Sequence, residues 1–300
     1  MNRASSNSIQ RAITVPWPSG FGPESRRHAM LFGALPVIFI MAFIGIWMIV
    51  SGLSLGNIGQ VLIGVVCTLI FPVAAPVAVR VYRTRRSVPP VLHAGPNIGG
   101  ETSLPIPRWQ WFSLISGLFA LTMVLAAMLF LYALTFSDTA TLNYRLRSPL
   151  IIPLLVVALL IGTWLLARVL YAAKREQGLW LTPTKVHLSN GLMRQSVDWD
   201  DILEVQAAAK PRFATVKLIS RPGTLDLVWA SRWARKKSRT WLIEIYTLEF
   251  DMDSALLYHL IAFYSQHPEL RAELGSRAAS DRICRGAVLE SSARRPGALS

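Results

Sequence analysis

The stretch Gly178–Val205 reads GLWLTPTKVHLSNGLMRQSVDWDDILEV, and it decides how the second half of the chain folds. Leu179 and Leu181 alternate with Trp180, and Val186 and Leu188 alternate with Lys185 and His187. A period of two marks a half-buried strand, because successive Cβ atoms point to opposite faces. Asn190-Gly191 signals a tight hairpin, since both residues accept positive φ. Met193, Gln195, Val197 and Trp199 then alternate with Arg194, Ser196 and Asp198. Asp200-Asp201 break the strand, and Leu203, Val205 and Ala207 resume it.

Downstream, Val216 and Leu218 make another strand, ended by Arg221-Pro222-Gly223. Leu225, Leu227 and Trp229 make the next, and Trp241, Ile243 and Ile245 the last. The period then becomes helical: Leu256, Leu257, Leu260, Ile261 and Tyr264 share one face, and Asp251 or Asp253 can cap it. A short second helix, Pro268–Leu274, stops at Gly275, and Gly275–Ser300 reads as a disordered Arg-rich tail. Antiparallel strands followed by one amphipathic helix suit a curved sheet with a plugged end. The domain is expected over Gly178–Leu274.

Upstream the composition changes. The chain has 300 residues, 52% hydrophobic and only 16% charged, with mean hydropathy +0.40. Soluble domains carry about 25% charged residues, so long uncharged runs are implied. Four are present, and four transmembrane helices are expected within Ala29–Arg175: Leu31–Leu53, Ile58–Val79, Trp111–Phe136 and Leu150–Tyr171. Met1–His28 is polar and proline-rich and reads as a disordered tail. The net charge of +14 is distributed unevenly. Arg80, Arg83, Arg85, Arg86 and Arg108 crowd the linker of residues 80–108, whereas the turn at 53–57 has no basic residue. The positive-inside rule then puts the linker and both termini in the cytoplasm of an inner (plasma) membrane protein.

The VDWDDI run (Val197–Ile202), with Leu179–Thr182, Asn190-Gly191 and the helix Asp253–Gln266, resembles the bacterial form of the pleckstrin-homology (PH) fold. The resemblance covers roughly residues 178–266 and implies a PH-like antiparallel β-barrel or sandwich capped by one α-helix. It implies no catalytic residue. The phosphoinositide site of eukaryotic relatives is not expected, because Ser189-Asn190-Gly191 is uncharged. Four spans followed by such a domain look like uncharacterised actinobacterial membrane proteins.

No enzyme chemistry is legible. His28, His93, His187, His259 and His267 form no metal spacing and read as solvated or hydrogen-bonded side chains. Asp198, Asp200 and Asp201 read as turn residues that cap backbone N–H groups. Cys67 and Cys284 imply no disulfide framework. No phosphate-cradling or nucleophile-elbow motif occurs, so neither cofactor nor metal is expected. The candidate contact is the basic loop holding Arg232, Trp233, Arg235, Lys236, Lys237 and Arg239. Cations beside a Trp suit the anionic inner leaflet or a protein partner better than nucleic acid. The expected function is a non-enzymatic, membrane-anchored binding or scaffold module. The alternative is a transport or channel subunit that the domain regulates.

Overall fold

The computed structural model describes residues 15–82, 98, 100–106, 108–109, helical positions within 114–128, and residues 151–210, 213–237 and 239–289. Expectations for residues 1–14, 83–97, 129–150 and 290–300 lie outside these.

Helices α1 (Glu24–Ser54) and α2 (Ile58–Tyr82) form an antiparallel hairpin. Its turn has Gly56 at φ 64°, and the Asn57 N–H donates to the Gly52 carbonyl at 2.8 Å. Glycines let the two backbones touch. A Cβ added at Gly45 would fall 2.8 Å from the Gly64 carbonyl oxygen, and one at Gly52 would fall 2.8 Å from Val61. Gln60 Nε2 also donates to Ser51 Oγ at 2.6 Å. Small residues at the seam and a polar clasp at the turn are how apolar helices associate where the hydrophobic effect cannot drive them together.

The span count needs correction. Among the described residues one helix, Phe32–Ser54, is long and apolar enough to cross a membrane; Ile58–Thr68 and Leu159–Ala172 are shorter apolar stretches. Four transmembrane helices are therefore not found among the described residues. The physical reason is that an uncharged run is a weaker criterion than an unbroken apolar helix of spanning length. Phe32–Ser54 is not a buried core helix: Phe43 is 70% and Trp47 65% exposed. A third long helix, α3 (Ile151–Ala173), packs against the helical positions of 114–128, with Gly162 against Val124 and Gly117 against Val169.

Residues beyond α3, joined by one strand from before it, build a two-sheet antiparallel sandwich. Strands β1 (Leu104–Ile106), β2 (Gln177–Leu181), β3 (Lys185–Asn190), β4 (Met193–Asp198) and β7 (Asp226–Ala230) form the first sheet in that order. Strands β5 (Ile202–Lys210), β6 (Phe213–Ser220) and β8 (Leu242–Tyr246) form the second. Strand β7 leaves the second sheet to pair with β4, and β8 returns to β6. Short helix α4 (Arg232–Lys237) lies between β7 and β8. Helix α5 (Ser254–Gln266) closes the sandwich, and Asp253 Oδ1 caps it by accepting from Ala255 N at 2.8 Å and Leu256 N at 3.1 Å. Its Leu256, Leu257, Leu260, Ile261 and Tyr264 are buried against Leu181, Val197, Trp199, Leu218 and Ile245.

The domain is larger than Gly178–Leu274 and is assembled from three separated segments. Val15 and Phe21, expected in a disordered tail, belong to its core. The Trp17 and Phe21 rings meet at a tilt with centroids 5.4 Å apart, Phe21 meets Tyr258 edge-on at 6.0 Å, and His259 Nε2 donates to the Pro16 carbonyl at 2.9 Å. Leu104 and Ile106, expected in a loop, are fully buried in β1, where they pair with Leu181 and Leu179. Arg108 and Glu249 then pair at 3.2 Å, both largely buried. At the other end, α6 (Arg277–Cys284) adds Ala279 and Ile283, and Val288 follows, where a disordered tail was expected. Glu273 receives the Tyr264 hydroxyl at 2.7 Å and Arg282 at 2.5 Å, which ties α6 to α5.

Candidate functional site

The basic segment is a helix, not a loop. The Ser231 hydroxyl accepts from Ala234 N at 3.2 Å, and the Ser231 carbonyl accepts from Arg235 N at 2.9 Å, which starts α4. Arg232, Arg235 and Lys236 are exposed. Helical spacing puts these three on one face. The side chains of Trp233 and Lys237 lie outside the described residues. Arg239 is exposed just past the helix, its guanidinium 5.6 Å from the Trp241 ring.

Other cations gather beside it that the basic segment's own sequence does not reveal. Arg175, two residues beyond α3, lies 4.3 Å over Trp229 of β7 and 5.1 Å from the Tyr171 ring. Arg168 lies 5.7 Å from the Trp164 ring. Arg194, the cross-strand partner of Trp229, lies 5.6 Å from Trp180. A signal existed: Trp164, Arg168, Tyr171 and Arg175 are spaced i, i+4, i+7, i+11, which is one helical face. Guanidinium over an aromatic ring keeps its charge while shedding part of its hydration, a combination suited to a membrane–water boundary.

Arg168 and the start of α4 meet at a cleft of about 370 Å³. Trp164, Arg168 and Tyr171 of α3 form one wall, and Leu192, Ser231 and Ala234 the other. The hairpin turn holds the second wall against α3. Gly191 has φ 78°, and Asn190 Oδ1 accepts from Leu192 N and Met193 N, both at 3.0 Å. So Gly191, not Asn190, takes the positive φ, as the first central residue of a type II′-like turn. A Cβ there would fall 2.7 Å from Ala172 Cβ. The Ser231 N–H donates to the Leu192 carbonyl at 2.9 Å, which joins the turn to the start of α4.

His187 sits near this patch and is half-buried. Burial first, then Arg194 and Lys185, hold its pKa down to about 4. Its Nδ1 is buried with no hydrogen-bond partner. The three aspartates do not cap N–H groups; each meets a cation. Asp198 lies 3.3 Å from Lys185, Asp200 2.6 Å from Arg271, and Asp201 3.5 Å from Arg221. Arg271 is itself buried and also donates to the Tyr264 carbonyl at 2.9 Å, pinning the VDWDDI turn to α5. Among the described residues, no group of three or more His, Cys, Asp or Glu could hold a metal ion. The arrangement offers cations, aromatic faces and an apolar cleft, which is the equipment for binding an amphiphilic anion.

No family model, curated protein or solved structure matches this chain.

Proposed function

We propose that this chain is a non-enzymatic membrane protein whose sandwich domain is a binding module docked on the anionic cytoplasmic leaflet. One observation carries the reading: the Arg–aromatic face of α3 forms one wall of a cleft whose other wall holds Ser231 and Ala234, on the segment that bears the exposed cations of α4. That cleft stands where an apolar helix gives way to a polar domain, which is the level of lipid headgroups. Each Lys or Arg near such a surface gains about 1 kcal/mol, so the three exposed cations of α4 act together.

The three-segment domain supports a topology. Residues before α1 and residues after α2 both pack into it, so the α1–α2 hairpin starts and ends on one side. Arg26 and Arg27 before the apolar part of α1, with Arg80 at the end of α2, favour the cytoplasm for that side. The PH-like reading of the domain is retained as a proposal. It rests on the VDWDDI run, the antiparallel sandwich and the closing helix α5. The crossing of β7 to the first sheet departs from a simple run of hairpins.

The test uses the full chain in nanodiscs of phosphatidylglycerol or of phosphatidylcholine. Amide exchange over residues 229–239 should slow in the anionic discs only. Arg232→Glu, Arg235→Glu and Lys236→Glu together should abolish the difference. Equal exchange in the two lipids would defeat the proposal.

A further inference from the structure

We infer that the cleft between α3 and α4 is a binding site for a single anionic phospholipid, with its phosphate on Arg168 and an acyl chain along Trp164, Leu192 and Ala234. This rests on the leaflet-docking proposal and names what its cleft takes.

The cleft has two chemistries in fixed order. Its walls are mainly apolar, and its volume of about 370 Å³ falls in the range of small-ligand sites. Arg168 and Ser231 supply a charge-bearing donor and a hydroxyl on opposite walls. Arg232 and Arg235 are exposed on the same short helix as Ala234, one turn or less away. The carboxylate of Glu249, which the charge of Arg168 also reaches, is already paired with Arg108 at 3.2 Å. Arg168 and the rim of α4 therefore present net positive charge to whatever enters.

Beyond the cleft, α3 continues as an apolar surface, with Leu160 63% and Ile161 53% exposed. A ligand with only a phosphate would leave Trp164 and Leu192 facing water. A purely apolar ligand would leave Arg168 without an anion. A phospholipid satisfies both, because its headgroup stays at the cations while its chain follows α3. The glycine at 191 keeps the opposite wall close, since any side chain there would push it away from Ala172.

The test is native mass spectrometry of the full chain in mild detergent, offered phosphatidylglycerol or phosphatidylcholine of matched chains. Wild type should retain one phosphatidylglycerol and little phosphatidylcholine. Arg168→Gln, which removes the charge and keeps a polar side chain, should lower occupancy about tenfold. Ala234→Trp and Leu192→Trp should fill the cleft and remove the retained lipid. A large excess of inorganic phosphate should not displace it. Equal retention of both lipids, retention unchanged by Arg168→Gln, or displacement by phosphate would overturn the assignment. If a tryptophan variant loses its unfolding transition, Arg168→Gln decides alone. Slowed exchange of residues 229–239 that survives Arg168→Gln and Ala234→Trp, with lipid retention unaltered, would sink the cleft while leaving leaflet docking standing.

Discussion

Gly191 meets two demands at once. Its φ of 78° lies in the left-handed region, and an added Cβ would press on Ala172 at 2.7 Å. The left-handed backbone alone costs a residue with a side chain about 1–2 kcal/mol. With the clash included, Gly191→Ala should cost about 2–4 kcal/mol, read as a lower denaturation midpoint of the full chain. The Asn-Gly pair made the hairpin legible in the sequence. Its contact with α3 was not, because nothing in a turn names its tertiary neighbour. His187 behaves likewise. Strand alternation put it on a polar face, yet neighbouring strands bury it and hold its pKa near 4. Unfolding restores an ordinary value near 6.5, so between these pH values the unfolded chain binds a proton that the folded chain refuses. This contribution is complete above about pH 6.5 and is lost as pH falls towards 4. Denaturation followed from pH 7.5 to 4 should show the loss, and His187→Gln should flatten it.

At the scale of elements, the segment Val15–Phe21 behaves as a strap. Phe21 is buried against Tyr258, and Gly20 packs so closely on the Ala207 carbonyl that no side chain fits there. Phe21→Ala should cost about 3–5 kcal/mol, and limited proteolysis should then cut within residues 15–23. The strap was illegible because Trp17 and Phe21 are spaced by prolines and glycines, with neither helical nor strand period to flag them. Helix α4 was legible and misread. Ser231 is a good N-cap, and Arg-Trp-Ala-Arg-Lys-Lys has no helix breaker. Charge density alone suggested a loop. By contrast, α5 matched its sequence pattern residue for residue, since an amphipathic face and a capping Asp are local signals.

For the whole molecule, the sandwich is completed by residues on both sides of the α1–α2 hairpin. Leu104 and Ile106 were hidden in a proline- and glycine-rich linker because a three-residue strand carries too few alternations to read. A fragment of residues 178–274 lacks Phe21, Leu104, Ile106 and Ile283, all fully buried in the complete chain. We expect its amide NMR spectrum to be poorly dispersed, and a dispersed spectrum would show that the outer segments are dispensable. The span count erred at this scale too, because absence of charge was read as length of apolar helix. The proposed contact surface was half legible: its α4 cations were named from the sequence, whereas Arg168, Arg175, Arg194 and Trp229 come together only through the fold.

Leaflet docking is tested most directly by depth. Lys236→Cys, in a chain whose Cys67 and Cys284 are replaced by serine, can carry a fluorophore on the exposed face of α4. In nanodiscs with headgroup-labelled quencher lipids, the account predicts strong quenching in phosphatidylglycerol and weak quenching in phosphatidylcholine, with the difference lost in high salt. Weak quenching in both lipids would place α4 away from the membrane and contradict it.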